Sequence, residues 1–340
     1  MSGLKEDGGG WWRLWRIVEA VRGILHNLEN LHNLHRLAVS LRLAAYGLWL
    51  LVLACQARGS ARRAREFDGT RAFGYLERQM QFGPRIPGTA AHEGAGDWIL
   101  EQLRARADTV AVQAITHVTR QGDTLHLRNF FARFRPEAAE RVLFLAHWDT
   151  RPRADQSANL GQQRLPVPGA NDGASGVAVL LGIADALKAK PPAGGVDLLC
   201  VDGEDYGDFV RDSNDVLIGS RWFAAHQPPG YQPLYAVLFD MVADKDQQFY
   251  YESNSQAFAP EVVDRVWRVA ADLGYGRIFI PGVKHPLIDD HVALQHVGIH
   301  AIDVVDFDYP YWHTTDDTID KVSAASLQTV GDVAVALVRR

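Results

Sequence analysis

Between residues 142 and 338, short and mostly apolar runs alternate with segments whose apolar positions recur every three or four residues. Val142–Ala146 (VLFLA), Val196–Val201, Tyr235–Phe239 and Ala301–Val305 are the mostly apolar runs and predict strands buried on both faces, and a short strand is expected at Arg277–Ile280. Val177–Leu187 carries apolar residues at 177, 180, 181, 184 and 187, the spacing of one helix face. Helices are also predicted around Gly219–His226, Glu261–Leu273, Asp290–Val297 and Ser323–Val338, the last with Ser323 as N-cap. Upstream, Arg71–Phe82 and His92–Arg106 have helical spacing, with Ile86-Pro87-Gly88 as a break between them. Thr109–Ile115 and Leu125–Phe134 alternate as strands do, joined by a hairpin around Gln121-Gly122-Asp123. Apolar strands alternating with amphipathic helices imply an α/β fold: a single three-layer α/β/α domain with a mixed, mostly parallel central sheet and a hairpin at its edge. No second core is visible.

Charge removes one class of partner. The formal net charge is -6, and no basic patch stands out beyond Arg58–Arg65 (RGSARRAR), so nucleic acid is not expected. That basic run reads as a solvated linker, or as a contact to anionic lipid. The two cysteines, Cys55 and Cys200, lie in unrelated contexts, and Cys200 sits inside VDLLCVDG as a buried thiol, so the fold must stand without a disulfide.

The N-terminal region has a different character. Leu43–Ala54 is twelve mostly apolar residues behind Arg36 and Arg42, short for a membrane span and of the length of a signal segment. Val52-Leu53-Ala54-Cys55 is similar to a bacterial lipobox, whose cysteine is lipidated, although Leu53 is not the usual small or β-branched residue there. An exported chain, lipid-anchored in the bacterial envelope through Cys55, is the expectation. An uncleaved anchor helix and a cleaved secretory signal are the alternatives, and membrane contact would come only through this segment. Residues 1–38, with GGGWWRLW and LHNLENLHNLHRL, fit neither a signal nor a domain and read as a mis-assigned or disordered extension, the true start lying near Val39. The expected organisation is then 1–38 extension, 39–55 signal segment, 56–67 linker and 68–340 catalytic domain.

The chemistry collects where strands end. His147 and Asp149 follow the 142–146 run, Asp172 opens a glycine-rich turn (PGANDGASG) into a helix, Glu204-Asp205 and Asp240 come just after two further runs, and His313 lies in YWHTTDD. In a parallel sheet, ligands bind beyond the carboxyl ends of the strands. Histidines and carboxylates delivered there suit a zinc site. Each has a plainer reading alone: a chance HxD, a helix cap at Asp172, an acidic turn or calcium loop at 204–215. Asp240 after YAVLF is the hardest to explain so, because a half-buried carboxylate needs a partner. Of the adjacent pair Glu204-Asp205, one can hold metal while the other moves protons, and the residues alone do not assign which. No GxSxG elbow, Walker-type loop or CxxC is present.

From about Asp68 to the C-terminus these motifs resemble the zinc aminopeptidases of the MH clan and, within them, the glutaminyl-peptide cyclotransferases, especially the bacterial members of the animal-type enzyme. The resemblance implies metal positions at His147, Asp172, Asp205, Asp240 and His313. Two-zinc aminopeptidases use all five. Cyclotransferases hold one zinc through the positions of Asp172, Asp205 and His313, which leaves His147, Asp240 and Asp149 as second-metal or supporting groups. It implies Glu204 as general base. Asp289, where aminopeptidases carry serine before Asp-His, and Trp312 in WHT favour the cyclase. The tryptophan that animal cyclases carry after the acidic pair has no match in Tyr206–Val210. The implied reaction closes the N-terminal glutamine of peptides or proteins to pyroglutamate with loss of ammonia. Zinc would polarise the amide, Asp289 with Asp240 would hold the amine, and Trp312 would cover the substrate. A two-zinc aminopeptidase and a catalytically dead surface binding protein are the competing readings. The resemblance also implies a cis peptide bond after Asp172.

Overall fold

A computed structural model describes residues 15–22 and 65–340 apart from 212. The chain divides into two units, Met1–Ala64 and Arg65–Arg340. In the first, residues 15–22 are helical. The expected signal segment and Cys55 lie outside the described residues. No described helix is long and apolar enough to cross a membrane.

The second unit opens with two helices, α1 (Gly69–Met80) and α2 (Ala90–Arg104). Asp68 caps α1 by accepting from Arg71 N at 3.0 Å, and Thr89 caps α2 through His92 N at 3.2 Å, which is why both start where they do. Strands β1 (Thr109–Val118) and β2 (Thr124–Phe134) form the expected antiparallel hairpin. There follow β3 (Arg141–His147), α3 (Ala174–Ala189), β4 (Gly195–Val201), α4 (Ile218–Ala225) and β5 (Ala236–Asp240). After β6 (Phe249–Glu252), α5 (Ser253–Phe258), α6 (Pro260–Asp272), β7 (Phe279–Lys284) and α7 (Asp290–Gln295), β8 (Ala301–Val305) and α8 (Ala324–Arg339) close the chain. Ser323 caps α8 through Ser326 N at 3.1 Å.

The main sheet has the order β1-β2-β4-β3-β5-β8. β2 meets β4 antiparallel, while β4, β3, β5 and β8 run parallel. Alternation along each strand feeds two cores. Phe144, Ala146, Val237, Phe239 and Ile302 point into one, with residues of α1, α2, α3, α6 and α8. Leu143, Leu145, Leu199, Leu238 and Ala301 point into the other, with Phe223 of α4 and Ala293 and Leu294 of α7. Three layers result, and the parallel strands deliver their carboxyl ends to one edge.

Two differences from expectation have clear causes. The predicted strand at Arg277–Ile280 is displaced to Phe279–Lys284 and leaves the main sheet, pairing in parallel with β6. It is half exposed and holds Pro281 and Gly282, so it carries no continuous apolar signal. β6 is four residues long, too short for periodicity to register. In addition, packing begins at Arg65, ahead of Asp68. Phe67 is buried in a slot between Gly182 of α3 and Gly331 of α8, where a Cβ on either glycine would collide with its ring. Arg65 reaches Asp332, and Glu66 pairs with Lys190 and Arg339.

Candidate metal centre and active site

Six of the predicted residues converge beyond the sheet's carboxyl edge. His147 ends β3 and Asp240 ends β5, while Glu204 and Asp205 lie just past β4. Asp172 stands in the turn before α3, and His313 in the segment between β8 and α8. His147 Nε2 lies 3.2 Å from both Asp172 Oδ1 and Asp240 Oδ1. His313 Nε2 lies 3.1 Å from Asp205 Oδ1 and 3.5 Å from Asp172 Oδ2. Two potential ligand groups share one carboxylate: His147–Asp172–Asp240 and Asp172–Asp205–His313. Among the described residues the acidic 206–215 loop forms no such group of its own.

These donors fit zinc. Asp172 Oδ2 and Asp205 Oδ2 are buried with no hydrogen-bond partner, and a pair of bare carboxylate oxygens facing an imidazole nitrogen asks for a cation. The electrostatics agree. Burial, and then the charge of Asp205, push Asp172 up to about 7. Asp205 goes the other way, well below the usual carboxylate range, because His313 and Arg151 outweigh the effect of burial. His147 is raised well above the usual imidazole range: burial opposes protonation, but Glu204, Asp149, Asp172 and Asp240 surround it.

Asp149, expected as a supporting group, and residues outside the predicted set hold the ligands in place. Asp149 accepts from Glu204 N at 3.1 Å and Asp205 N at 3.2 Å, while its oxygen is 3.6 Å from His147 Nδ1. It therefore anchors the acidic pair's backbone more directly than it orients the imidazole. Asp317 accepts from Asn171 N at 2.9 Å, Asp172 N at 3.1 Å and Tyr309 OH at 2.8 Å. Arg151 donates to Asp205 Oδ1 at 3.2 Å and to Asp155 at 2.7 Å. Arg85, fully buried, donates to the carbonyls of Trp148 and Gly169 at 3.0 and 2.7 Å beneath the site. Asp317 was signalled only by standing in the same HTTDD stretch as His313. Arg85 and Arg151 carry no signal in the sequence, because an arginine near a proline reads as surface.

The expected cis bond after Asp172 is absent: no peptide bond is cis among the described residues. Gly173 makes the turn with φ 94° and ψ −48°, and a Cβ there would stand 2.5 Å from Asp149 O.

Over the clusters lies a cavity of about 730 Å³ lined by Glu204, Asp240, Asp289, Phe209, Phe307, Trp312 and the ligand faces of Asp172 and His313. Glu204 is held well above the usual carboxylate range by burial and the negative charges of Asp205, Asp289 and Asp290. Asp289 caps α7 through Asp290 N at 2.5 Å, and burial beside Asp240 pushes it up to about 6. Trp312 stacks on His313 with ring centroids 4.0 Å apart and touches Phe307 at 4.8 Å. In the 206–210 segment, where no tryptophan stands, Phe209 supplies an aromatic wall.

A three-layer α/β/α fold with histidines and carboxylates gathered beyond its parallel strands defines a zinc aminopeptidase-like enzyme. Residues 129–338 match Peptidase family M28, and the chain belongs to that family. Its structure is similar to the Porphyromonas gingivalis glutaminyl cyclase (38% identity, TM-score 0.78, covering 81% of this chain and 98% of that one). It is equally similar to a Zn-dependent exopeptidase from Parabacteroides distasonis (35% identity, TM-score 0.78, 81% and 99% covered). In sequence it is similar to aminopeptidase YwaD of Bacillus subtilis, 25% identical over 271 residues, which are 74% of this chain but 51% of YwaD. It is also similar to the Drosophila melanogaster glutaminyl-peptide cyclotransferase, 24% identical over 269 residues, 72% of this chain and 73% of that protein. The chain thus spans about half the length of YwaD.

Proposed function

We propose that this M28 enzyme cyclises N-terminal glutamine to pyroglutamate with release of ammonia. The observation that carries the reading is the inequality of the two ligand groups. At Asp172–Asp205–His313 two carboxylate oxygens are unsatisfied. At His147–Asp172–Asp240 the imidazole Nε2 lies 3.2 Å from both facing carboxylate oxygens, and neither of those is among the buried oxygens left without a partner. One metal, not two, is what this pattern favours.

Asp172, Asp205 and His313 would hold the zinc, which would supply Lewis acidity toward the glutamine side-chain carbonyl. Glu204 takes the proton from the α-amine as nitrogen attacks the amide carbon, and passes it to the amide nitrogen as the C–N bond breaks and ammonia leaves. Its raised proton affinity suits a group that must carry the proton between the two steps. Asp289, with Asp240 beside it, accepts hydrogen bonds from the amine and fixes its direction of attack. Trp312, Phe307 and Phe209 cover the substrate in a reaction that consumes no water. Most of the rate gain comes from holding amine and amide in attack geometry.

A two-zinc aminopeptidase is the second reading, favoured by the presence of all five ligand positions. Incubating the purified protein with a Gln-initiated and a Leu-initiated peptide separates them by mass. Loss of ammonia without release of an amino acid is expected, and leucine release without pyroglutamate would overturn the cyclase. No catalytic or ligand position is vacant, which disfavours a dead binding protein. We also propose that the chain acts in the bacterial envelope, lipidated at Cys55. Labelled fatty acid should enter the wild type but not Cys55→Ser.

A further inference from the structure

We propose that Glu252, which lines neither the active-site cavity nor either ligand group, is the positioning residue that fixes Asp289 in the active site. The proposal rests on the role given above to Asp289, whose side chain lines the cavity whichever reaction runs.

Asp289 stands at the end of a connection, residues 285–289, that joins β7 to α7 over the surface. Its neighbour Ile288 is 65% exposed. An exposed connection does not by itself hold a carboxylate to the tolerance that directed attack requires, so its supports decide where Asp289 points. Asp308 holds His285 Nε2 at 3.0 Å and Asp303 stands beside Asp289, but most of the bonds to this stretch come from one residue. Glu252, 2% exposed at the end of β6, uses both carboxylate oxygens. Oε1 accepts from Leu287 N at 2.9 Å and Asn254 N at 2.8 Å. Oε2 accepts from Ser255 N at 2.6 Å, from Ser255 Oγ at 2.7 Å and from His291 Nε2 at 3.1 Å. The same carboxylate thus grips the chain two residues before Asp289 and two residues after it. The next two residues reinforce it: Ser253 N donates to His285 O at 3.1 Å, and Asn254 Nδ2 to Leu287 O at 2.6 Å.

A plain N-cap for α5 would need only the bonds to Asn254 and Ser255. The bonds to Leu287 and His291 serve no helix end of α5. Their common consequence is the placement of the residue between them.

A double-mutant cycle with Glu252→Gln and Asp289→Asn in the full-length protein tests this, following kcat, KM, zinc content and thermal midpoint. Glu252→Gln should keep wild-type zinc and lose about tenfold or more in kcat/KM, with KM raised. A role in folding alone would lower kcat through the active fraction and leave KM unchanged. In the Asp289→Asn background the further loss should shrink below about threefold, because the group being placed has lost its charge. Equal losses in both backgrounds, or unchanged kinetics in Glu252→Gln, overturn the proposal. Should Glu252→Gln not fold, Asn254→Ala removes only the Leu287 O bond and goes through the same cycle, with a smaller loss that must likewise vanish beside Asp289→Asn. Ammonia and leucine release are both recorded. Leucine release alone would end the cyclase reading, while coupling between residues 252 and 289 would still be read from that rate.

Discussion

At the scale of residues, Glu204 and Asp205 show how neighbouring side chains are driven to different tasks. Asp205 faces His313 and Arg151 and is held as a charged ligand, whereas Glu204 faces other carboxylates and keeps a high affinity for protons. Glu204→Gln should therefore abolish turnover with zinc still bound. Asp205→Asn should lose zinc on dialysis, and metal analysis of the two variants, showing equal retention, would refute the division. Asp289→Ser should keep fold and zinc and lose cyclisation heavily, since the amine loses its acceptor. Glu252 makes a pH prediction. Its pKa is lowered to about 2: burial works against the charge, but His291 and the Leu287 and Asn254 amides outweigh it. A depressed carboxylate stabilises the fold fully above its unfolded value of 4.5, and that contribution drains away as pH falls through the folded value. It amounts to about 3 kcal/mol. Chemical denaturation from pH 6 down to 3 should show Glu252→Gln losing about half or more of its deficit relative to wild type, the loss starting below the unfolded value of 4.5.

At the scale of elements, the hydrophobic pattern located each strand of the main sheet and most of the helices that cover it, because buried strands read as apolar runs and covering helices carry an apolar stripe. It overlooked β6 and α5, four and six residues long, and it put β7 in the wrong company. These pieces carry Glu252 and the connection to Asp289, so the sequence showed the functional carboxylate and not its support. The start of the packed unit has a similar cause. Phe67 follows an arginine-rich run that reads as linker, yet α3 and α8 leave it a slot at Gly182 and Gly331. Phe67→Ala should cost about 3–5 kcal/mol, as emptying a buried aromatic site does. The denaturant midpoint should fall at unchanged slope. A shift below about 1 kcal/mol would mean that 65–67 is linker after all.

At the scale of the whole molecule, the site depends on charge balance across the sheet's edge. Removing zinc should leave Asp172 Oδ2 and Asp205 Oδ2 bare. Chelated protein should then melt at a lower temperature and recover both midpoint and activity with zinc, since an ion that binds only the folded state stabilises it by mass action. Titration should saturate at one zinc per chain. Saturation at two would support the aminopeptidase reading instead. The sequence by itself determined the α/β class, the strand ends and the residue types gathered there, because apolar periodicity and ligand chemistry are properties of short stretches. Tertiary structure alone decided that Asp172 is shared between two groups, that Asp317, Arg85 and Arg151 brace them, and that Glu252 grips the chain around Asp289. Each of those is a contact between segments far apart in sequence, made only when strand order and crossover place them within hydrogen-bond reach.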